Sequence, residues 1–356
     1  MLFVDTNIIT PPSSGVINMP AVINAYASTS QGSTLSPHPY NPGPLAPNEI
    51  QVKVTHCGIC HSDLAMIDNE WGNASYPIVP GHEVIGIVSE LGSNVTRHKI
   101  GDRVGVGWQN ASCMNCEWCD SGDHHLCSTQ TATIVGHNGG FADYVRSHEY
   151  FAVPVPKALD STNAAPLLCG GITVYNPFVA YDIKSTHRIG VIGIGGLGHL
   201  AIQFAAAWGC HVTAFSSTPN KESEARTLGA HDFIPSCDSA ALQDARNSCD
   251  IIISAANANL DWSSYMQVLR PKGNLCIVGV PTSPITVTPF DLIIGQHSLT
   301  GSPIGSPYHI AQMFDFAAHH DIAAVTQEFP MNDLNNAISE LRANRIRYRA
   351  VLVNES

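Results

Sequence analysis

Hydrophobic positions take two textures along this chain. In the first, Ile50-Gln51-Val52-Lys53-Val54 alternates apolar and polar side chains, the period-two signature of a half-buried strand. Short apolar runs at residues 84–88 and 103–106 follow between glycine-rich turns, and Pro37, Pro39, Pro42, Pro44 and Pro47 break any regular element upstream. The pattern predicts a β-rich, irregular unit up to about residue 150. From about residue 171 the texture changes, with apolar runs at 189–192, 211–215, 251–253 and 275–278 separated by stretches of helical length. Strand and helix in alternation predict an α/β domain whose parallel sheet has right-handed crossovers. Past residue 308, stretches around 309–319 and 333–342 read as helices and 348–353 as a closing strand. The first eighteen residues, with Pro11-Pro12-Ser13-Ser14-Gly15 ahead of Met19, read as a flexible extension without an assigned function.

Composition narrows the function classes. A chain of 356 residues is long enough for two domains, and a formal net charge of −12 argues against a nucleic-acid partner, which would need clustered Lys and Arg. No apolar run approaches the roughly 18–20 residues that span a bilayer, and the N-terminus lacks a basic stretch followed by an apolar one, so neither membrane insertion nor secretion is expected. Eleven cysteines are an odd number, and four of them crowd into residues 113–127. That density suits metal binding in a reducing, cytoplasmic compartment better than a disulfide framework.

Cys113, Cys116, Cys119 and Cys127 have the spacing C-x2-C-x2-C-x7-C, which brings four thiolates within reach of one tetrahedral ion. Zinc is the best match, and four sulfurs leave no open position, so the site is structural; an iron–sulfur cluster is the lesser alternative. A second, open site can be assembled from Cys57-Gly-Ile-Cys60-His61-Ser62-Asp63, Gly81-His82-Glu83 and Leu168-Cys169. Two cysteines and a histidine would leave a fourth position for a substrate oxygen.

Gly193-Ile194-Gly195-Gly196-Leu197-Gly198 follows the predicted strand 189–192 and precedes an apolar-periodic stretch to Trp208. In that context G-x-G-x-x-G is a dinucleotide turn, with glycines for close backbone approach and a helix N-terminus for the pyrophosphate. The next strand ends in Ser216, Ser217 and Thr218 with Lys221 beyond, and no carboxylate stands there to hold ribose hydroxyls or repel a 2′-phosphate. That favours NADP(H) over NAD(H).

Jointly C-G-I-C-H-S-D-L at 57–64, P-G-H-E at 80–83, G-D-R-V-G-V-G at 101–107, the cysteine quartet, A-P-L-L-C at 165–169 and G-I-G-G-L-G-H at 193–199 resemble the zinc-containing medium-chain alcohol dehydrogenases. The cinnamyl-alcohol-dehydrogenase-like branch is the nearest match, and the resemblance covers essentially everything after Met19. It implies a GroES-like catalytic domain over residues 19–170 and 308–356 and a Rossmann-type doubly wound domain over 171–307. It also implies that Cys60, His82 and Cys169 hold a catalytic zinc with Glu83 beside it, that Cys57 is a bystander, and that Asp63 orients a ligand imidazole.

By the same resemblance, two zinc ions per chain and NADP(H) serve hydride transfer between a primary alcohol and its aldehyde, with reduction the favoured direction. Ser62 would start a proton relay. Many relatives continue that relay through a histidine where this chain has Ala65, and water is expected to substitute. His61 and Thr173 would face the cofactor, and Trp71, Trp108 and Ile304 would line the pocket. A homodimer would form through an apolar edge at 299–305. A polyol or amino-alcohol dehydrogenase of the same superfamily, or a zinc- and cofactor-binding protein without catalysis, are the alternative readings.

Overall fold

The computed structural model describes residues 22–354, so the extension at 1–18 lies outside the described residues. Two sheets organise the chain. One has six strands in the order Asp232–Pro235, His211–Ser216, Arg188–Ile192, Cys249–Ser254, Leu269–Ile277, Ser298–Gly301, every pair parallel. This is the doubly wound dinucleotide-binding order, in which ligands sit where the strand order reverses, here between Arg188–Ile192 and Cys249–Ser254. Ile189, Val191, Ile251, Ile253 and Leu275 are buried, as near-continuous apolar strands covered on both faces require.

The other sheet has seven strands around Glu49–Ile59, an eleven-residue strand flanked by Arg349–Val353 and Val84–Leu91 and also paired with Tyr144–His148. Its apolar positions Ile50, Val52 and Val54 point into one core with Leu352 and Phe141. Two register shifts against Val84–Leu91 bend it before it runs out at Ile59. The residues that follow are thereby delivered to the junction with the six-stranded sheet.

Two expectations need correction. The edge strand foreseen at 299–305 is Ser298–Gly301 and stops ahead of Pro303, which has no N–H for a ladder; Ser306 then caps the helix Pro307–His319. The short strand Asp232–Pro235 was not foreseen. The helix Pro307–His319 packs against Gly170–Ala180, burying Ile310, Met313, Phe314 and Ala317. Among the described residues no helix is long and apolar enough to cross a membrane.

Candidate active site

Three chain segments converge at the ends of adjacent strands. Cys60 caps the helix His61–Ile67 directly after the long strand, His82 and Glu83 precede its neighbour Val84–Leu91, and Cys169 caps the helix Gly170–Ala180. One ligand atom from each of Cys60, His82, Glu83 and Cys169 lies within 4.8 Å of all the others, and all four residues are buried. The Cys60 and Cys169 sulfurs are 3.7 Å apart.

The donor set fits zinc on its own hydrogen bonding. Asp63, fully buried, accepts from the Cys60 N–H at 2.8 Å and from the Gly81 N–H at 2.8 Å, and its Oδ1 lies 3.0 Å from His82 Nδ1. With Nδ1 donating to the carboxylate, the lone pair of a neutral imidazole is on Nε2, and that atom is buried without a hydrogen-bond partner. Glu83 Oε2 is likewise buried and unpartnered. Orphaned buried acceptors beside two thiols are costly unless a cation satisfies them.

The four groups shift one another's protonation, and Cys60 is the one driven towards negative charge. A hydrogen bond from the Cys169 thiol holds Cys60 well below the ordinary thiol range, while Cys169 is pushed up by the same partner. Burial works against a charge on His82, but Asp63 outweighs it and holds the imidazole well above its usual value. Burial pushes Glu83 up to about 7 against the pull of Arg349. Arg349 is the residue that sequence reasoning missed: it is 4% exposed and forms an ion pair with Glu83 Oε1. Gly58 makes room for that pair, because a Cβ there would overlap the Glu83 carboxylate.

Cys57, three residues before Cys60, is fully buried in the core of the seven-stranded sheet and lies outside the cluster. Burial raises its thiol well above the usual range. Ser62 Oγ is 3.7 Å from Cys60 Sγ, and Ala65 is buried with no polar group to offer.

A cavity of about 490 Å³ opens from Cys60 and Cys169 and is lined by Ser62, Glu70, Trp71 and Val280. Trp108 packs edge-on to the His82 ring, centroids 5.0 Å apart, and Ile304 packs against the core, so neither is among that cavity's lining residues. Thr173 lines it, and His61, Leu197 and Asn257 line both this cavity and an adjoining groove of about 460 Å³. Asn257 carried no sequence signal.

The groove runs beneath the glycine turn. Gly193 adopts φ +88° and follows Ile192 without a break. Nothing lies within 4 Å of a Cβ on Gly195, whereas one on Gly198 would overlap the Gly193 carbonyl oxygen. Ser216 is buried with its Oγ accepting from the Thr218 N–H at 3.1 Å, while Ser217 and Thr218 are exposed. Lys221 Nζ donates to the Ile194 carbonyl at 2.5 Å and sits over the Tyr348 ring.

Away from this junction, ligand atoms of Cys113, Cys116, Cys119 and Cys127 also lie within 4.8 Å of one another. Backbone N–H groups of Cys113 and Thr129 and the Thr129 hydroxyl lower Cys127 to about 6, while hydrogen bonds with the neighbouring thiols help push Cys116 up to about 11. All eleven cysteines are free thiols.

Known proteins share this architecture. Residues 46–157 match the alcohol dehydrogenase GroES-like domain and residues 196–319 the zinc-binding dehydrogenase family. The chain is 48% identical over 331 residues to the aldehyde reductase AdhA of Synechocystis sp., covering 93% of this chain and 98% of that one. It belongs to the zinc-containing medium-chain alcohol dehydrogenases, in the cinnamyl-alcohol-dehydrogenase-like branch. A cinnamyl alcohol dehydrogenase of Sorghum bicolor superposes with a TM-score of 0.90 at 38% identity, covering 93% of this chain and 97% of that one. A second such enzyme, from Helicobacter pylori and complexed with NADP(H), gives 0.86 at 29%, with 94% and 99% covered. A member of this family is a zinc-binding alcohol or aldehyde oxidoreductase, and the GroES-like and Rossmann-type halves foreseen in the sequence are both present.

Proposed function

We propose that this enzyme interconverts primary alcohols, aliphatic or aromatic, with their aldehydes using NADP(H), and works chiefly as an aldehyde reductase. The observation that carries the reading is the unpartnered His82 Nε2 between two thiols, where an apolar-walled cavity meets the dinucleotide groove. Zinc held by Cys60, His82 and Cys169 supplies a Lewis acid for the substrate oxygen, and NADP(H) supplies or accepts the hydride.

The protein's own groups do the rest. Asp63 fixes the His82 ring through Nδ1, so the ligand lone pair has one direction. Glu83, tied to Arg349 through one oxygen, keeps the other free toward the cluster. Ser62, close to Cys60 and on the cavity wall, takes the alcohol proton onto its hydroxyl and gives up its own in the same movement. With alanine at position 65, the proton then passes to water in the cavity. Trp71 and Val280 give the cavity an apolar wall that favours an apolar substrate chain.

The same reading places a second zinc on Cys113, Cys116, Cys119 and Cys127 as a structural ion. It puts the enzyme in the cytoplasm and assigns it a homodimer built on the edge strand Ser298–Gly301, next to the exposed Phe290, Ile293 and Ile294.

The cofactor preference rests on Ser216, Ser217, Thr218 and Lys221 and on the lack of a carboxylate among them. Replacing Ser216 with Asp puts a negative charge where the 2′-phosphate would lie. NADP(H) kcat/KM is expected to fall by about tenfold or more, with NAD(H) much less affected. Paired initial-rate measurements with the two cofactors check this, and an unchanged preference would mean that Ser216 does not face a 2′-phosphate.

A further inference from the structure

We infer that Arg347 and Lys221 together form the seat for the cofactor 2′-phosphate, so that both sheets contribute to reading it. The inference deepens the NADP(H) reading above and rests on it.

Lys221 alone is a poor phosphate receptor in this structure. Its ammonium is half-committed, donating to the Ile194 carbonyl and lying 5.4 Å from the Tyr348 ring centroid. Arg347 comes from the other sheet's side of the groove, two residues before the strand Arg349–Val353. It reaches across to Glu224 on the helix Glu222–Thr227 that follows Lys221. Glu224 engages Nε and Nη2, which fixes the guanidinium plane; Tyr348 also lies against the group, and Nη1 makes no hydrogen bond to Glu224. The Arg347 side chain is 58% exposed, so that edge is reachable.

The groove as a whole is built for anions. In a chain of net charge −12, its lining residues include Lys221, Arg345, Arg347 and Arg349 and no carboxylate. The four cations are not equivalent. Arg349 is buried against Glu83 and lies under Gly196, at the pyrophosphate turn. Arg345 is turned back onto Glu340. Lys221 closes the turn that carries Ser217 and Thr218, its N–H donating to the Thr218 carbonyl, and Arg347 shares the Tyr348 ring with it, so the two cations stand together where a phosphate on the adenine ribose would arrive. With one edge held by Glu224, the Arg347 guanidinium has its remaining N–H donors fixed in direction for a phosphate, and the nearby ammonium adds a point charge.

The test is calorimetric binding of adenosine 2′,5′-bisphosphate and of adenosine 5′-monophosphate to the full chain, so that no turnover is involved. Wild type should prefer the bisphosphate. Arg347→Leu and Arg347→Gln should each weaken the bisphosphate by about tenfold while leaving the monophosphate unchanged, the monophosphate doubling as a folding control. Arg347→Lys should recover part of the loss. A wild-type preference retained undiminished in both neutral variants would overturn the seat alone, as would equal weakening of the two probes. Equal wild-type affinity for the two probes would overturn the NADP(H) reading and the seat with it.

Discussion

Cys60→Ala is expected to abolish turnover and to release about one zinc per chain, whereas Cys57→Ala retains both. The two cysteines stand three residues apart and would be interchangeable on spacing alone, but strand geometry separates them. Cys57 is inside the ladder, opposite both Leu352 and Val84, with its sulfur turned into the core. Cys60 lies just past the strand, at a helix N-terminus, 3.7 Å from the Cys169 sulfur. If Cys60 holds the zinc as proposed, losing that ligand would remove a Lewis acid worth several kcal/mol in the transition state, or on the order of a thousandfold in rate. Cys57→Ala removes one buried sulfur atom and should cost about 1–2 kcal/mol of stability without touching the site. Metal content by atomic emission and initial rates on the same samples check both halves.

Gly198→Ala should cut cofactor affinity by about ten- to a hundredfold while leaving zinc content intact. A methyl at this position overlaps the Gly193 carbonyl oxygen, so main chain rather than the end of a flexible side chain would have to move. The turn would have to open, and with it the backbone that should approach the pyrophosphate. The contrast with Gly195→Ala is part of the expectation: that Cβ meets no protein atom within 4 Å, so it costs the empty protein little and acts only against the ligand. Quenching of tryptophan fluorescence by NADPH, with melting temperatures for both variants, separates these effects.

The sequence carries much of this through two kinds of signal. Local periodicity locates Glu49–Ile59 and the four inner strands of the parallel sheet, since their residues are apolar for the reason that they are buried. Fixed spacing exposes the cysteine quartet and the glycine turn, whose chemistry is set within a few residues.

What escapes is whatever depends on register or on distant partners. Asp232–Pro235 is a four-residue edge strand with an aspartate and a proline, so it has no pattern to show. Arg349 sits in Arg345-Ile-Arg347-Tyr-Arg349, which reads as a solvated basic run. It is buried because its strand pairs Ala350 with Ile59 and so sets the guanidinium against Glu83. Lys221 is legible as a cation but not as one already engaged by Ile194. Asn257 follows a strand end and lines both cavities for purely topological reasons. The convergence of Cys60, His82 and Cys169 is likewise beyond local pattern, and family resemblance anticipated a grouping that sheet topology produces.

Hydride transfer between NADP(H) and an aldehyde is proposed at the Cys60–His82–Cys169 site. Its most direct test follows loss of the NADPH absorbance band with a panel including benzaldehyde, cinnamaldehyde and aliphatic aldehydes, using zinc-replete and chelator-stripped protein. Steady turnover by the zinc-replete enzyme, loss on stripping, and recovery when zinc is returned are expected. No turnover by zinc-replete protein on any aldehyde, or turnover untouched by stripping, would contradict it.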